Sequence, residues 1–164
     1  MYIKREKYLS KIRPFYNVDL IKVLTGVRRS GKSILLEQIK DEFIRNGFDS
    51  KHIIFINFED LKFEKIRTIN KLNDYVMSLI KDKNKYVIFL DEIQHVRNFE
   101  KALASFRVAI NCSIFVTGSN SKFLSSDIIT EFRGRGDEVK VYPLSFSEFC
   151  MAYMEVQKMR GENI

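Results

Sequence analysis

Apolar positions along the chain alternate between two spacings. Short dense runs, near Leu20–Leu24, Ile53–Asn57, Val87–Leu90, Ser113–Val116 and Glu138–Val141, have the length and composition of buried strands. Between them, apolar residues recur at helical spacing: Leu35, Leu36, Ile39 and Phe43; then Ile69, Leu72, Val76 and Ile80; then Phe99, Leu103, Phe106 and Ile110. Strand and helix patterns that alternate in this way predict β-α-β units. These place the strands in a parallel sheet with helices on both faces, a three-layer α/β/α architecture. A last helical pattern, Phe146, Phe149, Tyr153 and Val156, reads as packing surface, part of it expected to be exposed.

The junction between the first strand and its helix carries the first chemistry. Gly26-Val27-Arg28-Arg29-Ser30-Gly31-Lys32-Ser33 fits the phosphate-binding pattern G-x-x-x-x-G-K-[ST] at every fixed position. Two glycines let the backbone turn so that successive N–H groups face a phosphate, Lys32 reaches the β/γ-phosphates, and Ser33 is the expected Mg²⁺ ligand. The helix that follows adds its N-terminal partial charge to the same place. The residues thus predict a P-loop NTPase site.

The segment Tyr86-Val-Ile-Phe-Leu-Asp-Glu-Ile-Gln94 is an apolar strand that ends in two carboxylates, the Walker B arrangement. Asp91 at the strand end is expected to orient Mg²⁺, and Glu92 to align or deprotonate the water that attacks the γ-phosphate. Glu59, in Asn57-Phe-Glu-Asp60, is a second candidate for that acid; Glu92 is preferred because it directly follows Asp91. The strand ending in Thr117-Gly-Ser-Asn-Ser121 also delivers polar side chains to a strand end. Asn120 first, and Ser119 second, are the candidates for a sensor of the γ-phosphate. A helix cap by Ser119 or Ser121 is the alternative. With Walker A on the first strand, Walker B on the third and the polar sensor on the fourth, the expected strand order is 5-1-4-3-2. All these groups then converge at the C-terminal edge of the sheet.

Composition changes this picture little. The 164 residues suffice for one sizeable core. No apolar stretch has the length of a membrane span, and the start, Met-Tyr-Ile-Lys-Arg-Glu-Lys, has no signal-peptide pattern, so a cytoplasmic protein is expected. Cys112 and Cys150 are isolated and read as reduced core residues rather than metal ligands or a disulfide. His95, just beyond the acids, reads as a surface group. The net charge of +7 is entirely N-terminal: residues 1–40 hold ten Lys/Arg against three Asp/Glu, and the remainder holds eighteen of each. Besides the loop's own Arg28, Arg29 and Lys32, a basic leader over residues 1–19, with Lys4, Arg5, Lys7, Lys11 and Arg13, could meet nucleic acid phosphates or an acidic partner. A solvated helix face is the simpler reading.

Taken together, the P-loop octapeptide, Phe-Leu-Asp-Glu-Ile-Gln, Thr-Gly-Ser-Asn-Ser, Gly134-Arg135 and Tyr142-Pro-Leu-Ser-Phe-Ser-Glu-Phe149 resemble the succession of motifs in prokaryotic AAA-type ATPases. The resemblance covers nearly the whole chain, and its last two motifs are not general P-loop features. It implies an N-terminal ATPase domain followed by a C-terminal domain of unknown function. A single AAA-type domain over residues 1–164, the N-terminal fragment of a longer protein, is therefore expected. It also implies ATP rather than GTP, in keeping with the lack of an N-K-x-D motif, and a homo-oligomer. In such an assembly Arg135, or Arg133 beside it, would reach a neighbour's nucleotide as an arginine finger. A pair between Arg135 and Asp137 or Glu138 is the alternative. The expected function is Mg²⁺-dependent ATP hydrolysis coupled to conformational change. The other reading is a nucleotide-gated module that binds nucleic acid or protein through the basic N-terminus, or through the region after residue 164, and hydrolyses little.

Overall fold

A computed structural model of the chain describes residues 3–119 and 136–160. Five strands, β1 (Ile21–Thr25), β2 (Ile53–Asn57), β3 (Tyr86–Asp91), β4 (Cys112–Gly118) and β5 (Gly136–Lys140), form one sheet. Its order is β2-β3-β4-β1-β5, with every pairing parallel, which is the predicted 5-1-4-3-2 arrangement. The helices are α1 (Glu6–Ile12), α2 (Lys32–Arg45), α3 (Ile69–Leu79), α4 (Phe99–Ala109) and α5 (Phe146–Arg160).

Side chains alternate across a pleated strand, so each strand feeds two cores. On one face Tyr86, Ile88 and Leu90 of β3 join Ile114 and Val116 of β4 against Leu72 and Val76 of α3 and Leu103 and Phe106 of α4. On the other, Val87, Phe89 and Phe115 pack against Leu35, Leu36, Ile39 and Phe43 of α2 and Tyr8, Leu9 and Ile12 of α1. Aromatic rings concentrate here: Phe89 and Phe115 stack at 5.1 Å between centroids, and Phe43 meets Phe115 edge-on at 6.0 Å. The same parity carries function. Asp91 follows Phe89 by two residues and Thr117 follows Phe115 by two, so both emerge on the α2 side of the sheet, where the P-loop lies.

The buried strand β1 contains Lys22, 2% exposed. Its ammonium donates to the Val18 carbonyl at 2.6 Å and to Ser113 Oγ at 2.7 Å, and burial pushes its pKa down to about 8. The two cysteines are free but only half-buried, so neither is a core residue in the strict sense. The leader differs more from expectation. Lys4, Lys7 and Lys11 are exposed, as a solvated face requires, but Arg5 is buried. Arg13 is engaged with Glu6 and with Glu42, whose other partner is the Tyr16 hydroxyl at 2.8 Å. In α5, Phe146, Phe149, Tyr153 and Val156 are all exposed, Phe146 at 84%. Among the described residues, no helix is long and apolar enough to cross a membrane.

Candidate nucleotide site

The loop between β1 and α2 owes its shape to its glycines. Gly26 has φ of 147°, and a Cβ there would lie 2.1 Å from the Val141 carbonyl oxygen; the chain leaving β5 presses directly on the loop. Gly31 has φ of 92° and begins α2 in a left-handed conformation that other residues adopt at a cost. Between them, Val27, Arg28 and Arg29 are exposed at the rim and Ser30 is buried. Arg28 faces Glu59 at 4.0 Å, a solvated pair of little energetic weight.

Four predicted residues converge behind this rim. Lys32 is only 3% exposed, and its ammonium donates to the Gly26 and Val27 carbonyls at 3.2 and 3.1 Å. It stands 3.7 Å from Glu92 Oε1. Ser33 lies against Asp91, and its hydroxyl favours the charged carboxylate. Asp91 is 1% exposed, and its Oδ2 has no hydrogen-bond partner among the described residues. Burial outweighs the hydrogen bonds from Thr117 and Ser33 and raises the Asp91 pKa above the ordinary carboxylate value. A cleft of 350 Å³ opens in front of these groups, with Lys32, Ser33, Glu92 and Glu59 in its wall. Of the two acids considered for the water, Glu92 is buried at 7% and Glu59 is exposed.

Two residues that sequence reasoning did not single out organise the acids. The Thr117 hydroxyl accepts from the Glu92 N–H at 2.9 Å and donates to Asp91 Oδ1, so one side chain of β4 fixes both carboxylate-bearing residues. Gln94 donates to Glu92 Oε2, which also accepts from Ser119 Oγ at 2.7 Å. Ser119, the second sensor candidate, thus binds Glu92; the helix of the capping alternative, and Ser121, lie outside the described residues. Glu92 itself has φ of 54° and ψ of 49°, an uncommon conformation for a residue with a side chain, and one that recurs at functional sites. The only available signal for Thr117 was its place in the β4 alternation. His95 is exposed, as expected. Asn120, Arg133 and Arg135 lie outside the described residues.

A second cavity, 340 Å³, adjoins the loop at Arg29, Ser30 and Gly31. Its other walls are mostly apolar: Ile3 of the leader, Ile34 of α2, Leu144 just before α5, and Val156 and Met159 of α5.

Because Asp91 is buried with its charge disfavoured and one oxygen unpaired among the described residues, its ionised form costs stability in the ligand-free protein. An acid whose pKa is raised by folding contributes most at low pH and loses that contribution as pH rises through the folded value. Asp91→Asn should therefore raise the melting temperature of the ligand-free protein at pH 7 by roughly 2–4 °C, about 1 kcal/mol. The gain should shrink as pH is lowered towards 4. Calorimetric melts of both proteins across that range would check this.

Comparisons agree with the geometry. An uncharacterized protein of Haemophilus influenzae is 39% identical over 151 residues, covering 92% of this chain and 38% of the relative. One from Methanocaldococcus jannaschii is 40% identical over 129 residues, covering 79% of this chain and 28% of the relative. The chain thus spans well under half the length of these relatives. Among solved structures, AMPPCP-bound DnaA from Aquifex aeolicus superposes with a TM-score of 0.62 at 15% identity, over 99% of this chain and 54% of that one. The Aeropyrum pernix ORC1 protein in complex with DNA gives 0.62 at 13% identity, over 98% and 50%. These likenesses establish a shared fold. Residues 19–150, from the entry to β1 through the start of α5, match the AAA domain family, and with the P-loop at the C-terminal edge of a 5-1-4-3-2 sheet the chain belongs to that family of ATPase-type domains.

Proposed function

We propose that this domain binds ATP with Mg²⁺ and hydrolyses it, and that hydrolysis is coupled to conformational change. The observation that carries the reading is the convergence of Lys32, Ser33 and Glu92 on one cleft, with Asp91 lining an adjoining cavity that shares Ser33 and one buried Asp91 oxygen without a hydrogen-bond partner among the described residues. That orphaned oxygen beside the Ser33 hydroxyl fits a hard divalent cation. Ser33 and Asp91 would hold Mg²⁺, which when bound neutralises charge on the β- and γ-phosphates. The N–H groups of the Gly26–Ser33 loop and the start of α2 receive the phosphate oxygens. Lys32, already desolvated, is exchanged from the loop carbonyls onto the phosphates. That exchange also draws its charge away from Glu92, leaving the carboxylate to orient water. The apolar cavity beside Gly31 suits a purine base, whose faces need no polar partner.

Asn120 as γ-phosphate sensor and Arg135 as a residue acting in a neighbouring subunit complete the proposal, which therefore includes a homo-oligomer. A nucleic acid or protein partner would be met through the basic N-terminus or through the region after residue 164. The other reading, a nucleotide-gated module, binds ATP to control its hold on nucleic acid or a protein partner and hydrolyses little or none of it.

Calorimetric titration with ATP, with and without Mg²⁺, followed by phosphate release on the same sample, tests the proposal. Saturable binding in the micromolar range, about −8 kcal/mol, that strengthens with Mg²⁺ and is accompanied by phosphate release is expected. Binding without release would favour the gated module. Absence of binding would refute both.

A further inference from the structure

Arg5 is 3% exposed, and its planar guanidinium donates in three directions. Nε reaches Glu148 Oε1 at 2.9 Å, Nη1 the Ser30 carbonyl at 3.0 Å, and Nη2 the Tyr142 carbonyl at 2.8 Å; the group also covers the Tyr8 ring at 4.7 Å. Its own N–H donates to Gln38 of α2 at 2.9 Å. Glu148 in turn accepts from the Ser145 N–H at 2.8 Å, while the Ser145 hydroxyl accepts from the Glu148 N–H at 3.3 Å, a reciprocal cap on the start of α5. One buried cation therefore joins the leader, the phosphate loop, the exit from β5 and the last described helix.

The contact with Ser30 bears on ligand binding. A trans peptide is planar, with its carbonyl and N–H on opposite sides, so a Ser30 carbonyl held towards Arg5 turns the Gly31 N–H away from it. No other side chain hydrogen-bonds this carbonyl among the described residues. Lysine could not replace the guanidinium: its single nitrogen cannot span three acceptors held in a fixed fork.

We propose that Arg5 is a positioning residue for nucleotide binding: it sets the Ser30–Gly31 peptide and ties it to the N-terminus of α5, so that occupancy of the loop and the placement of α5 are coupled. This rests on the reading of the loop as a nucleotide site. A bound phosphate that tightens the loop pulls on Ser30, hence on Arg5, hence on Glu148.

The chain contains no tryptophan, so Phe146→Trp, at an exposed position on α5, supplies a single indole as reporter. In that background, ATP with Mg²⁺ is titrated into the parent, Arg5→Lys and Glu148→Gln proteins, with Kd from calorimetry and indole emission read in parallel. Both variants should weaken binding about tenfold while kcat at saturation stays within about twofold, and both should lose most of the nucleotide-induced emission change. Unchanged Kd in two folded variants, or parent binding with no emission change, overturns the inference. So does loss of cooperative unfolding in both variants, which would make Arg5 a brace of the fold only. A parent that binds no nucleotide overturns the functional reading as well, so the two failures are told apart.

Discussion

Glu92→Gln is expected to lower ATP turnover by about a hundredfold or more while nucleotide affinity stays within about threefold of wild type. The substitution is nearly isosteric, and a glutamine carbonyl can still accept from Ser119 and Gln94, so the strained turn at residue 92 keeps its supports. What disappears is the negative charge and the capacity to take a proton. Because Glu92 is 7% exposed and faces Lys32 at 3.7 Å, no bulk-solvent base stands ready to replace it. Glu59 lines the same cleft but is exposed and turned towards Arg28, so it is a poor substitute. Affinity should hold because the loop, Lys32, Ser33 and Asp91 are untouched. Steady-state phosphate release, paired with calorimetric Kd, reads both quantities; turnover equal to wild type would remove Glu92 from the chemistry and with it the hydrolase reading.

Lys32→Ala should reduce affinity for ATP with Mg²⁺ by at least about a hundredfold. A charge-assisted contact made in a water-poor pocket is worth more than the same contact at the surface, and Lys32 is 3% exposed. The substitution also removes the Lys32 donor from the Gly26 and Val27 carbonyls, of which Val27 keeps the Ser30 N–H at 3.2 Å, and leaves Glu92 without its neighbouring cation, so a stability cost of about 1–3 kcal/mol is expected as well. The two effects separate experimentally: a thermal melt reports the second, and titration below the melting transition reports the first. Wild-type affinity in a folded Lys32→Ala protein would mean that nucleotide phosphates bind elsewhere.

What could be foreseen from the chain was whatever local pattern dictates. β3 was legible because a wholly apolar run of strand length, ended by Asp91 and Glu92, has few other uses. The observed strand, Tyr86–Asp91, extends the expected one by a single residue at each end. The sheet order followed from placing two motifs and one polar strand end. Arg5 was not legible: among lysines in a basic leader it looks like one more solvated charge, and its burial depends on acceptors 25, 137 and 143 residues away. Thr117 was hidden for a related reason. A threonine at a strand end carries no signal until β3 and β4 are in register, which pairs Leu90 with Val116 and brings Asp91 next to Thr117. Gln94 was quoted only as the end of a motif, since nothing in the sequence shows that the turn at Glu92 folds its amide back onto the acid.

The sheet order has a consequence for how the domain is made. β1, with the phosphate loop at its end, is synthesised first of the five strands yet lies between β4 and β5, which are synthesised last. A chain emerging from the ribosome therefore carries β1 without either strand partner until residue 118 is free and with one edge open until residue 140 is free, and the Val141 carbonyl that closes against Gly26 arrives only after that. Loops of this length form slowly and leave apolar edges open meanwhile. Nascent chains of this domain should thus lean on chaperones for most of their synthesis and gain affinity for nucleotide only near its end, so that ligand binding selects for finished molecules.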